Sequence, residues 1–236
     1  MLILGLTKTT LLDYPGRVAA SIFTGGCNFR CPYCHNKDIV LQNKSITPYA
    51  LSQIWTFLKK RQHVLTGVCI TGGEPTLHHD LPDFIRAIKE LNYNVKLDTN
   101  GTHPQMLDYL ITNRLIDYCA MDIKNSPENY NQTVNIPSAS NISYDWTAIN
   151  DSVTILMTQA NIPYEFRTTV TAQLHTSEDM RRIAAWIAGA KAYFLQPYVD
   201  SDHVLCQGFC APDTTTLESY IAICREKIPN TQLRGI

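Results

Sequence analysis

Cys27, Cys31 and Cys34 stand at C-x3-C-x2-C spacing inside Gly25-Gly26-Cys27-Asn28-Phe29-Arg30-Cys31-Pro32-Tyr33-Cys34-His35-Asn36. The loop follows an apolar run from Val18 to Phe23 that reads as a strand. Thiolates are the ligands iron–sulfur clusters require, and three of them on a four-iron cube leave one iron without a protein ligand. An open metal position can hold a small molecule, as it does in catalytic zinc sites. Zinc is the alternative, with His35 as a fourth ligand. Three purely structural cysteines this close together would be unusual on a polar, Pro-interrupted loop.

Further candidates sit after other apolar runs. Gly72-Gly73-Glu74-Pro75 follows Val68-Cys69-Ile70, and glycines there would let backbone approach a bound group closely, or merely join a strand to a helix. Leu97-Asp98-Thr99-Asn100-Gly101 and Met121-Asp122-Ile123-Lys124 each bring an aspartate to a strand end. Such carboxylates either face a cationic ligand or cap turns and helices. Arg167 lies in Tyr164–Val170, where Glu165 shares its pleat face, so a local ion pair is the plain expectation. Gln196 closes the last strand. Cys206 and Cys210, with His203 nearby, carry C-x3-C spacing without a full ligand set and read as free thiols or an auxiliary metal site. Cys69, Cys119 and Cys224 lie in apolar segments and read as core.

The elements that must position these residues alternate strand and helix about six times. Strands are expected at Arg17–Thr24, Val68–Ile70, Asn94–Thr99, Ile116–Lys124, Tyr164–Val170 and Ala192–Leu195. Helices carry Leu51–Leu58 from an N-terminus at Thr47-Pro48, then Leu81–Leu91, Leu107–Ile111, Trp146–Met157, Met180–Ile187 behind a Thr176–Asp179 capping box, and Leu217–Cys224. Leu12-Asp13-Tyr14-Pro15-Gly16 is a turn signal, and residues 125–144 read as a long functional loop or lid. This pattern implies parallel strands with right-handed crossovers, in a doubly wound sheet or a barrel.

With 236 residues and 44% hydrophobic content, one domain over 1–236 is expected, with a core near 17–198 and an extension from 199 to 236. The net charge of −1 gives no bulk attraction to nucleic acid or membrane. No segment approaches a membrane span, and Met1–Leu6 is too short for a secretory signal. A reduced, cytoplasmic setting is expected for the eight cysteines.

The cysteine loop, with Tyr33 as the aromatic of C-x3-C-x-aromatic-C, resembles the radical S-adenosylmethionine (SAM) superfamily. The resemblance implies a [4Fe–4S] cluster on Cys27, Cys31 and Cys34, with SAM chelating the fourth iron. It also implies an α/β fold, an open (β/α)6 partial TIM barrel, with its site at the C-terminal strand ends. Gly72, Gly73 and Glu74 match the segment that meets the SAM ammonium. Tyr33 and His35 would offer backbone to adenine, Gln196 would meet adenosine, and Arg167 the SAM carboxylate or ribose. Asn100 and Lys124, in the two aspartate motifs, join the SAM-binding set. Asp98, Thr99, Met121 and Asp122 match positions that hold a monovalent cation in the pyruvate formate-lyase branch of the activases.

Thr10–Gly16, Phe23–Asn36, Met121–Lys124 and Glu165–Val170 are most similar to anaerobic ribonucleoside-triphosphate reductase activating proteins. That implies reductive SAM cleavage, a glycyl radical enzyme as partner and a reduced flavodoxin or ferredoxin-like donor. Other readings are activation of a pyruvate formate-lyase type enzyme, small-molecule chemistry resembling 7-carboxy-7-deazaguanine synthase, or an electron-carrying or zinc-binding module.

Overall fold

The computed structural model describes residues 1–134 and 145–235. Eight strands lie side by side in chain order, β1 (Ile3–Thr10), β2 (Ala19–Thr24), β3 (Gly67–Gly72), β4 (Asn94–Thr99), β5 (Tyr118–Asp122), β6 (Tyr164–Val170), β7 (Tyr193–Pro197) and β8 (Thr231–Leu233). β1 is antiparallel to β2, and every later pair is parallel. β2 to β7 are the six expected strands. The sheet is unclosed, with β1 and β8 at its edges, an α/β partial barrel.

Helices α1 (Lys37–Val40), α2 (Leu51–Arg61), α3 (Leu81–Glu90), α4 (Pro104–Thr112), α5 (Tyr130–Val134), α6 (Trp146–Thr158), α7 (Ser177–Trp186) and α8 (Thr214–Arg225) connect the strands. In α3 the buried residues Leu81, Phe84, Ile85 and Ile88 recur at helical spacing and make one apolar face. The α7 capping box forms as expected: Asp179 N–H donates to Thr176 Oγ1 (3.2 Å) and Thr176 N–H to Asp179 Oδ2 (2.9 Å).

Three expectations change. The opening residues form β1, whose register with β2 runs from Ile3–Thr24 to Thr10–Ala19. α2 starts at Leu51 rather than Thr47-Pro48, because Tyr49 N–H is drawn onto Ile3 O (2.9 Å) and Gln53 Oε1 caps Ala50 N–H (2.8 Å). Residues 125–144 do not all read as loop: α5 forms at 130–134, with Tyr130, Thr133 and Val134 buried, while 135–144 lie outside the described residues.

The sheet has two different faces. Toward the helices it presents Ile22, Ile70, Leu97, Met121 and Phe166, all fully buried. Toward the barrel axis it carries charge in layers set by register: Cys69, Lys96 and Tyr118; then Asp98, Ala120 and Glu165; then Asp122, Arg167 and Phe194. Since β2 to β7 run parallel, their C-terminal ends and following loops share one rim of the barrel.

Candidate active site

The loop after β2 is pinned before it reaches its cysteines. Gly26 N–H donates to Ile39 O (2.9 Å), Arg30 N–H to Val134 O (2.8 Å), and the Arg30 guanidinium to Cys27 O (2.7 Å) and Phe29 O (2.8 Å). Cys27, Cys31 and Cys34 thereby line one cleft of about 880 Å³, its open mouth included. All three are free thiols. Burial pushes all three up: Cys27 to about 12, with Glu74 adding to the rise, and Cys31 and Cys34 also above the ordinary thiol range. Burial raises the core thiols Cys69 and Cys119 in the same way, so what sets these three apart is their shared place on one cleft.

Gly72-Gly73-Glu74 forms the next wall of the cleft. Its glycines are explained within the chain. Gly72 has φ +121, and a Cβ on Gly73 would sit 1.8 Å from Gly26 O. The strand end thus presses against the cysteine loop, with Gly73 N–H donating to Thr24 O (2.9 Å) and Glu74 N–H to Gly26 O (2.8 Å). Close approach is required, as expected, and the approaching partner shown is the cysteine loop. Asn36 Nδ2 adds a bond to Gly72 O (3.1 Å).

Glu74 is buried and works as a clamp. Oε1 accepts from Thr76 N–H (3.0 Å), Thr76 Oγ1 (2.5 Å) and Thr99 Oγ1 (2.8 Å), while Oε2 accepts from Asn100 N–H (2.6 Å). Burial raises its pKa against these donors. β3 and β4 are locked together at the rim, and Oε2 retains acceptor capacity.

The cleft floor is an alternating charge ladder. Lys96 pairs with Asp98; Arg167 Nη1 lies 3.4 Å from Asp98 Oδ2 and Nη2 2.8 Å from Asp122 Oδ1; Lys124 Nζ lies 2.9 Å from Asp122 Oδ2. Within the ladder three cations meet two carboxylates, and the buried Glu74 on the cleft wall brings a third carboxylate. Burial raises both aspartates, but Arg167 with Lys96 holds Asp98 below its usual range, and Arg167 with Lys124 holds Asp122 at about 2. The expected Arg167–Glu165 pair does not form. Glu165 is fully buried against Arg234, whose Nη2 lies 2.9 Å from Oε2, and Tyr118, whose hydroxyl donates to the same oxygen at 2.6 Å.

Among the expected site residues, Thr99, Asn100 and Gln196 also line the cleft. The side chains of Tyr33, His35 and Met121 do not. Tyr33 is buried beside His175 and Phe209, His35 stacks on Tyr198 at 5.3 Å between centroids, and Met121 packs against Gly101 on the helix side of the sheet. Cys206 N–H docks on Pro32 O (2.7 Å), whereas Cys210 Sγ accepts from Gln173 Nε2 (3.3 Å). Sequence reasoning missed Asn36, Thr169 and the supporting Lys96. Two-residue alternation from Arg167 would have found Thr169, and from Asp98 would have found Lys96.

Residues 21–143 match the Radical SAM superfamily. The chain belongs to that superfamily. It is 34% identical over 204 residues to a Methanocaldococcus jannaschii protein named "Putative glycyl-radical enzyme activating enzyme", covering 85% of this chain and 81% of that protein. It is 30% identical over 111 residues to 7-carboxy-7-deazaguanine synthase of Thermoplasma acidophilum, covering 47% of this chain and 49% of that enzyme. Its fold is similar to the crystal structure of a radical SAM methyltransferase from Sphaerobacter thermophilus, with TM-score 0.70, 15% identity and coverage of 96% of this chain and 68% of that one. Membership in the superfamily implies a [4Fe–4S] cluster and SAM. The convergence of three free thiols with both cations and carboxylates on one cleft fits a thiolate-held cluster and a ligand that carries an ammonium and a carboxylate. Among the described residues, no helix is long and apolar enough to cross a membrane.

Proposed function

We propose that this radical SAM protein is an activase that reductively cleaves SAM and installs a glycyl radical on anaerobic ribonucleoside-triphosphate reductase. The observation that supports it best is the convergence of Cys27, Cys31 and Cys34, the Gly72–Glu74 wall and the Arg167-bridged aspartates on one cleft, together with the glycyl-radical activase name of the 34% identical relative. When bound, the cluster supplies one electron to split the S–C5′ bond of SAM, yielding methionine and a carbon radical able to take hydrogen from glycine.

The chain's part is to hold and orient. Cys27, Cys31 and Cys34 ligate the cluster. Carbonyls of the Gly72–Gly73 segment and Glu74 Oε2 receive the SAM ammonium, while Arg167 and Lys124 receive its carboxylate. Asn100 borders that end, its side chain held by Asn28 and Thr102. Gln196, with backbone of Tyr33 and His35, takes the adenosine end. A monovalent cation beside Asp98, Thr99 and Asp122 would share the two carboxylates with Arg167, and Met121, whose side chain faces the helices, would offer only its backbone carbonyl. A flavodoxin or ferredoxin-like protein donates the electron, and the free cysteines suit the reducing cytoplasm.

The test mixes anaerobically reconstituted protein, SAM, reductant and the reductase of the same source, read by electron paramagnetic resonance. A glycyl-radical signal that vanishes without SAM or without this protein is expected. Release of 5′-deoxyadenosine with no protein radical would refute the reductase as partner and move the search to another substrate. In that case the 30% identity to 7-carboxy-7-deazaguanine synthase directs the search to a small pterin-like substrate.

A further inference from the structure

Cys27 differs from the other two cluster thiols in what surrounds its sulfur. Asn100 Nδ2 donates to Asn28 Oδ1 at 2.8 Å and lies 3.9 Å from Cys27 Sγ, within reach of a hydrogen bond to sulfur. Phe29 N–H donates to the same sulfur at 3.3 Å. The two amides are fixed from behind: Asn28 Nδ2 donates to Thr102 Oγ1 (2.8 Å), and Thr102 Oγ1 and N–H donate to Asn100 Oδ1 at 2.7 and 3.0 Å. Asn100 in turn is held by its own N–H on Glu74 Oε2. The clasp joins the cysteine loop to the end of β4 and points an amide donor at one sulfur.

We infer that the Asn28–Asn100 amide pair is a positioning and tuning device that fixes the Cys27 sulfur and raises the potential at which the bound cluster accepts its electron. Hydrogen bonds to ligand sulfur withdraw electron density and favour the reduced state. Ligation strengthens the contact, because a thiolate only accepts, and the Asn100 amide is already aimed. Asn28 supplies the oxygen that orients the amide, so it acts through Asn100. The inference rests on the cluster assignment and not on which substrate receives the radical.

The test is a redox titration of the reconstituted full-length protein without SAM, followed by the resonance signal of the reduced cluster, alongside iron content and thermal melting. Asn100→Leu keeps the size and removes the donor; its midpoint potential is expected to fall below wild type with iron content retained. Asn28→Ala, which keeps Asn100 but loosens it, is expected to fall by less. An unchanged potential in both iron-loaded variants would overturn the inference. If Asn100→Leu does not load iron, Asn28→Ala decides: a lowered potential supports the device, a wild-type potential refutes it. Wild-type protein that binds zinc and no iron would instead remove the cluster assignment itself.

Discussion

Among the described residues, the barrel interior holds two ionic groups that differ in their access to the cleft. At the rim, Lys96, Asp98, Arg167, Asp122 and Lys124 alternate in sign, and all but the buried Lys96 line the open cleft. Deeper, Glu165 meets Arg234 and the Tyr118 hydroxyl, while the Arg234 guanidinium lies 3.5 Å from the Phe194 ring centroid. That group is balanced in charge. Below it, Tyr118 meets the Tyr14 ring at 6.0 Å, and the Tyr14 ring fills the space a Gly67 side chain would take. Charges that face an open cleft are available to a ligand, and charges paired away from it fix packing.

The comparison breaks most sharply at the thiols above the ladder. Cys31→Ala is expected to abolish SAM cleavage and cut bound iron, since a ligand shared by neither ionic group is lost. Iron analysis and 5′-deoxyadenosine release check this, and retained cleavage by the purified variant would remove Cys31 from the ligand set.

Next comes the centre of the ladder. Arg167→Met should weaken SAM binding about 100-fold, in line with truncation of a buried charged partner. It also leaves Asp98 and Asp122 facing each other. Titration calorimetry on cluster-loaded protein reads the affinity, and a change under threefold would make the guanidinium purely structural.

The balanced group should respond in the opposite currency. Arg234→Ala strands the buried Glu165 carboxylate and is expected to cost about 2–3 kcal/mol of stability, the low side for a broken buried pair because Arg234 is itself partly exposed. SAM affinity of the folded variant should stay near wild type. Denaturant melts paired with calorimetry test the split, and equal losses in both would merge the two groups into one.

Much of this was legible in residue order. The cysteine loop, the Gly-Gly-Glu-Pro turn and both aspartate motifs announce themselves by spacing, and six strands follow from apolar runs between turn signals. What stayed hidden has physical causes. Arg234 follows a three-residue strand, too short to show a period, and meets Glu165 only because β8 pairs with β7 at the sheet edge. Glu165 and Arg167 share a pleat face, but adjacent layers gave each a better partner on another strand. Lys96 sits in a strand whose alternation suggests a solvent face; only the curvature of the sheet turns that face inward. β1 ends in Thr7-Lys8-Thr9-Thr10 and lacks a buried stripe beyond Ile3 and Leu4.

Acid sharpens the contrast at the smallest scale. Burial raises Asp122, yet Arg167 and Lys124 together hold it at about 2, below the ordinary aspartate value near 3.9. A depressed carboxylate contributes stability that is complete above the unfolded value and is lost as pH falls through the folded one, so the window runs from about pH 4 to about pH 2. Asp122→Asn should therefore be less stable than wild type by about 2 kcal/mol near neutrality. That gap should close progressively across the window as the wild-type carboxylate protonates. Urea melts of both proteins at about pH 5 and about pH 2.5 measure the gap. A gap that does not narrow would mean Asp122 stabilises by shape and hydrogen bonding alone, and the ladder's charge would then bear on ligand binding without bearing on the fold.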